Sequence, residues 1–204
     1  MIFGINRLEL PHKKAGCDMD KLEEYQRWQN NLARVRFPRW KELPTLGLYV
    51  DQVVAIVNEQ LNHLGIEPLT KSMVNNYVKK KVIQAPIKKK YAVNQLVDLL
   101  LIGLLKSNFS LDDIRAGIAQ VTMNSYPQAA YDRFVEILNA LLAGEEIPSN
   151  NVINPQNDRL MTLALKSVLT RMDAAQLLTA MRKVAQPADR KSTRLNSSHY
   201  FESR

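Results

Sequence analysis

The residue types best placed to act on a partner fall between Thr70 and Tyr91. Ser72, Asn75 and Asn76 are short polar side chains, and an asparagine amide can make paired donor–acceptor contacts with adenine. Around them stand Lys71, Lys79, Lys80, Lys81, Lys88, Lys89 and Lys90, while no acidic residue occurs from Pro68 through Val97. Glu67 and Asp98 bound this cationic block sharply. Lysine can hold phosphate or guanine, so the chemistry indicated is recognition of a polyanion rather than bond making. Catalytic patterns are missing. His63 has no Cys, His or carboxylate pattern around it, which leaves a zinc site unsupported. Asp112 and Asp113 are better read as helix-start carboxylates than as an acid/base pair. No nucleophile elbow or glycine-rich phosphate loop occurs, so neither enzyme activity nor a cofactor is expected.

Local sequence explains how these side chains would be presented. Thr70 can cap a helix, its hydroxyl accepting from a backbone N–H that the helix cannot satisfy internally. Met73, Val74, Tyr77 and Val78 then share one apolar face. Lys71, Ser72, Asn75, Asn76, Lys79 and Lys80 are left on the rest of the cylinder. Pro86 prevents the helix from continuing. Two short β-like pieces, Val82–Ile83 and Lys90–Tyr91, are expected to form a small two-stranded wing carrying Lys88, Lys89 and Lys90. A helix over 46–64, ended by Gly65, precedes the capped helix, which is helix-turn-helix grammar. The fold class expected is mainly α, a winged helix-turn-helix followed by a helical C-terminal region. The predicted DNA contacts are Thr70, Lys71, Ser72, Asn75, Asn76, Tyr77, Lys79, Lys80, Lys88, Lys89, Lys90 and Tyr91.

The chain of 204 residues can bury a sizeable core, and its formal charge of +8 suits a polyanionic partner. The lone cysteine, Cys17, excludes an internal disulfide and fits a reducing compartment. The most apolar run, 96–105, is about half a membrane span and contains Asp98. A soluble cytoplasmic protein is expected, with double-stranded DNA as partner and no membrane. The ends stand apart. Residues 1–18 read as either an upstream misread extension or a disordered arm before a more natural start at Met19. Residues 189–199 resemble the translation of a sequencing-library adapter, and removing 189–204 would lower the charge by four bases less two acids, to +6.

The remaining chain reads as helices. One spans 20–35, with Leu22, Tyr25, Leu32 and Val35 on a shared face, and Trp40, Leu43 and Pro44 should pack onto the next unit. A helix over 93–105, apolar nearly all round, should form the buried centre, and Ser110 with Asp113 should cap the helix that follows. Tyr126 and Pro127 begin a helix closed by Gly144. A loop covers 147–157, and a helical stretch over 159–184 is expected to turn at Met172 and Asp173. The division expected is 1–18, 19–45, a winged helix-turn-helix over 46–123, a helical region over 124–188 that packs on the head, pairs two subunits or holds an effector, with packing or dimerisation favoured, and 189–204.

The order of helix, turn, capped helix, wing ending in Lys90-Tyr91, apolar helix and Phe109-Ser110-Leu111-Asp112-Asp113-Ile114 resembles the DNA-binding head of the MerR class. The resemblance implies DNA-binding transcriptional regulation. Ser72, Asn75 and Asn76 stand where that class usually carries arginines and paired aromatics, and the paired cysteines of its metal sensors are missing. Pro38-x-Trp40-x-x-Leu43-Pro44, Leu48-Tyr49-x-Asp51-Gln52-Val53, Met73-x-Asn75-Asn76-Tyr77-Val78-Lys79 and Pro86-x-Lys88-Lys89-Lys90-Tyr91 resemble the bacterial family catalogued as domain of unknown function 1836. A homodimer is expected because helix-turn-helix proteins commonly read two half-sites. The alternative is a protein-interaction module that retains the winged fold without reading DNA.

Overall fold

The computed structural model describes residues 16–185. Of the proposed extension 1–18, residues 1–15 lie outside the described residues, as do the adapter-like 189–204, while residues 16–18 belong to the first helix. Among the described residues seven α-helices follow one another: α1 Gly16–Leu32, α2 Val50–His63, α3 Lys71–Lys79, α4 Val93–Leu105, α5 Leu111–Thr122, α6 Pro127–Ala143 and α7 Pro155–Ala185. A single 3-10 turn, Trp40–Glu42, lies between α1 and α2.

The buried centre is α4. Ten of its thirteen residues are buried, from Gln95 to Leu105 with only Asp98 spared, as expected of a helix that is apolar around its circumference. α2 packs on α4 through Val53, Val57 and Leu61. The approach is close because position 103 is glycine: a Cβ there would sit 2.7 Å from Leu61 Cδ1. α5 and α7 also pack on α4, and α6 lies between α5 and α7. One hydrophobic core runs from Phe37 through Val168.

Extended segments are held by amide side chains. Asn58 on α2 accepts from the Leu69 N–H at 2.7 Å and donates to the Leu69 carbonyl at 2.9 Å, which fixes the chain entering α3. Asn139 on α6 does the same for Phe37, at 2.8 and 3.1 Å. Asp132 accepts from the Trp40 N–H at 2.7 Å, and the Tyr131 hydroxyl donates to the Pro38 carbonyl at 3.0 Å. Residues 37–40 are thus clamped to α6, a helix about ninety positions later.

Several expectations are corrected. No strand occurs among the described residues, so the two-stranded wing is not formed. Only two isolated bridges are present, Leu48 with Tyr91 and Ile87 with Lys90. Val82 and Ile83 are core residues rather than half of a hairpin. α2 starts at Val50, not 46, because Leu48 is paired with Tyr91 in extended conformation and Tyr49 is the N-cap. α1 ends at Leu32, three residues early. No turn interrupts α7 at Met172 and Asp173. After Pro155 that stretch has no proline or glycine to stop it, and the Asp173 carboxylate accepts from the Tyr25 hydroxyl and from Gln29 on α1 instead of bonding its own backbone.

Candidate nucleic-acid interface

The capped helix forms as its sequence requires. Thr70 Oγ1 accepts from the Met73 N–H at 3.1 Å, and Val74 and Tyr77 are buried against α2 and the core. That orientation leaves Lys71, Ser72, Asn75, Asn76, Lys79 and Lys80 exposed. The side-chain amides of Asn75 and Asn76 make no hydrogen bond to any described residue, in contrast to the scaffold amides Asn58 and Asn139.

α3 ends unusually. The Val82 N–H donates to the Tyr77 carbonyl at 2.8 Å and the Lys81 N–H to the Val78 carbonyl at 3.0 Å. This is a Schellman closure, whose left-handed residue is usually glycine. α2 and α6 close the same way with Gly65 at φ 66° and Gly144 at φ 70°. α3 uses Lys81, at φ 56°.

The lysine turn repeats the anomaly. Ile87 N–H to Lys90 carbonyl at 3.1 Å and Lys90 N–H to Ile87 carbonyl at 2.9 Å enclose a two-residue tip. Both tip residues have positive φ, Lys88 at 48° and Lys89 at 64°. That is the type I′ geometry for which Asn-Gly is the usual solution. A left-handed conformation costs an L-residue with a full side chain roughly 1–2 kcal/mol. Lys81, Lys88 and Lys89 are the three non-glycine residues with positive φ among the described residues, and all fall in the acid-free stretch.

The stem of the turn is fixed from beneath. Gln95, itself buried, accepts from the Ala92 N–H at 2.6 Å and donates to the carbonyls of Gln84 at 3.2 Å and Ala85 at 3.0 Å. Tyr91 is buried and its backbone exchanges two hydrogen bonds with Leu48, at 2.9 and 2.8 Å. The turn and α3 meet at the start of α2. Lys90 Nζ lies 5.7 Å from the centre of the Tyr49 ring, and Lys71 forms an ion pair with Asp51, two residues further on.

The predicted contact residues therefore divide. Ser72, Asn75, Asn76, Lys79, Lys80, Lys88 and Lys89 are exposed, and among the described residues none of these lysines has a carboxylate within ion-pair distance. Lys71 and Lys90 are exposed but already engaged by Asp51 and Tyr49. Tyr77 and Tyr91 are a correction: both rings are core, and burial raises both phenol pKa values. They position the surface and do not form it. Lys81 is exposed as well, and its sequence setting offers a clue to its backbone: α3 must stop before the apolar Val82–Ile83 pair and no glycine is there to stop it.

Among the described residues, no group of three or more His, Cys, Asp or Glu could hold a metal ion, and no helix is long and apolar enough to cross a membrane. Nothing among curated proteins or solved structures matches the chain. Residues 38–134, from the segment clamped on α6 to the middle of α6 itself, match the family model described as domain of unknown function (DUF1836).

Proposed function

We propose that this protein is a homodimeric, DNA-binding transcriptional regulator of the helix-turn-helix type. In this reading Ser72, Asn75 and Asn76 on α3 meet base edges in the major groove. Lys79, Lys80, Lys81, Lys88 and Lys89 hold phosphates on either side. One observation carries the reading: three lysines occupy left-handed positions where glycine would be free of strain. Glycine at these places would relax the backbone but remove the charge, so their presence fits a requirement for the charge itself. The resemblance to the MerR head, with the lysine turn in the place of a wing, supports the same reading by analogy. The dimer follows from the two half-sites such heads commonly read.

Selection of random duplexes by the full chain tests this directly. If about four lysines per subunit meet phosphates, log affinity falls against log salt with a slope of roughly −3 to −4 per subunit. Asn75→Ala relaxes sequence preference, whereas Lys89→Ala weakens all sequences alike. Salt-insensitive binding, or the same behaviour from both variants, overturns the assignment.

A second reading, a protein-interaction module, is favoured by Leu46 and Ile87. These apolar side chains are 81% and 79% exposed near the lysine turn, and an apolar rim suits a protein partner better than a phosphate backbone. It predicts that no duplex is enriched.

A further inference from the structure

A cleft of about 340 Å³ opens between α4, α5, α6 and α7, with Trp40 at one side. That volume lies in the range of small-molecule sites. Its walls are mainly apolar, including Leu101, Phe109, Ile118, Phe134 and Met161, and Trp40 and Tyr131 meet edge to face within it at 6.0 Å. Gly117 lines it too, and a Cβ built there meets nothing within 4 Å.

Three charged groups line the cleft, Asp98, Asp113 and Arg115, two carboxylates to one guanidinium. Asp113 lies at the exposed start of α5, where its Oδ2 accepts from the Ser110 hydroxyl at 2.7 Å. Asp98 differs. Its side chain is 19% exposed, and Arg115 Nη1 stands 3.6 Å away, an ion-pair distance rather than a hydrogen bond. No described residue donates a hydrogen bond to its carboxylate. Burial raises its pKa to about 6, with Arg115 pulling the other way. A half-desolvated carboxylate with no donor, facing an apolar space, is costly in a folded protein. A ligand that brings its own cationic donor removes that cost.

We propose that this cleft is a binding site for a small apolar molecule carrying one amine, with Asp98 taking the ammonium group and Trp40, Phe109, Tyr131 and Phe134 surrounding the apolar body. Aromatic faces add attraction for a cation held close to them. The excess carboxylate at the cleft favours a cation over an anion. Gln84 and Gln95 also line the cleft, so an occupant abuts the stem that Gln95 staples beneath the lysine turn. That contact offers a route from ligand to turn under the DNA-binding reading, but the site itself does not depend on that reading.

The test uses three probes sharing one rigid apolar body: 1-aminoadamantane, 1-adamantanol and adamantane-1-carboxylate. The full chain carries Trp28→Phe, so that Trp40 is the sole tryptophan reporter of occupancy. The amine binds about tenfold or more tighter than the alcohol, as expected for one charge-assisted hydrogen bond, and the carboxylate binds weakest. Asp98→Asn brings the amine down to the level of the alcohol and leaves the alcohol unchanged. Gly117→Leu fills the space, abolishes binding of all three, and does not lower the melting temperature, because leucine is the better helix former. Equal affinity of the three probes, no Trp40 response to any of them, or full binding by the Gly117→Leu variant overturns the site.

Discussion

Two regions of the molecule use the same side-chain chemistry for opposite ends. Where α6 meets α7, the buried cation is answered. Arg133 is 6% exposed and donates to Asp158 at 2.7 and 3.2 Å and to Glu136 at 2.8 Å. Those bonds hold its pKa above the usual guanidinium value against the opposing effect of burial. Asn139 has both ends of its amide occupied by Phe37. On α3 and the lysine turn the same kinds of groups face outward without internal partners: among the described residues the Asn75 and Asn76 side-chain amides lack hydrogen bonds, and Lys79, Lys80, Lys88 and Lys89 lack carboxylates. Charge that is answered inside the fold holds helices together. Charge left unanswered, and kept at the expense of backbone strain, is available to something outside.

The comparison breaks most readily at Arg133. Arg133→Met leaves the Asp158 carboxylate without its cation and Glu136 with only Arg39, 3.5 Å away, and should lower unfolding stability by about 3 kcal/mol in denaturant titration. The folded fraction should keep whatever DNA affinity the parent shows.

Asp98 gives the next effect, through pH. Its folded pKa, about 6, lies above the ordinary carboxylate value of 3.8. The folded protein therefore holds this proton more tightly than the unfolded chain. The stability from this group is fully present below pH 3.8 and is lost as pH rises through 6. The loss amounts to about 2–3 kcal/mol between pH 4 and 7, and it should vanish in Asp98→Asn. Parallel pH–stability curves for parent and variant would remove Asp98 as the cause.

The lysine turn sharpens the contrast because fold and partner should respond with opposite signs. Replacing Lys88 and Lys89 by Asn and Gly gives the turn its preferred residues and should stabilise the protein by about 1–2 kcal/mol. The same double variant should lose about two units of salt slope in duplex binding. A variant that gains stability and keeps the full slope would show that the tip is not a phosphate contact.

The smallest effect is expected at Thr70. Thr70→Ala removes the acceptor for the Met73 N–H and should cost about 1 kcal/mol in the same titration. A loss of DNA affinity well beyond the unfolded fraction would mean that Thr70 also touches the partner.

The sequence by itself determined the local grammar. Thr70 and Ser110 cap their helices, Pro127 and Gly144 delimit α6, and the apolar run of α4, broken only by Asp98 and Gly103, marks the centre, because caps, breakers and periodicity act within a few residues. Exposure of Asn75 and Asn76 followed from the same rule, since Val74 and Tyr77 fix which face α3 buries. What only the tertiary structure decided depends on distant partners. Val82 and Ile83 have strand-like side chains, yet the core beside Tyr77 claims them before a hairpin can form. Asp173 reads as a turn residue until the Tyr25 hydroxyl, 148 positions earlier, takes its carboxylate. The cleft beside Asp98 arises where separate helices close around one another, and no short-range pattern in the chain encodes such a meeting.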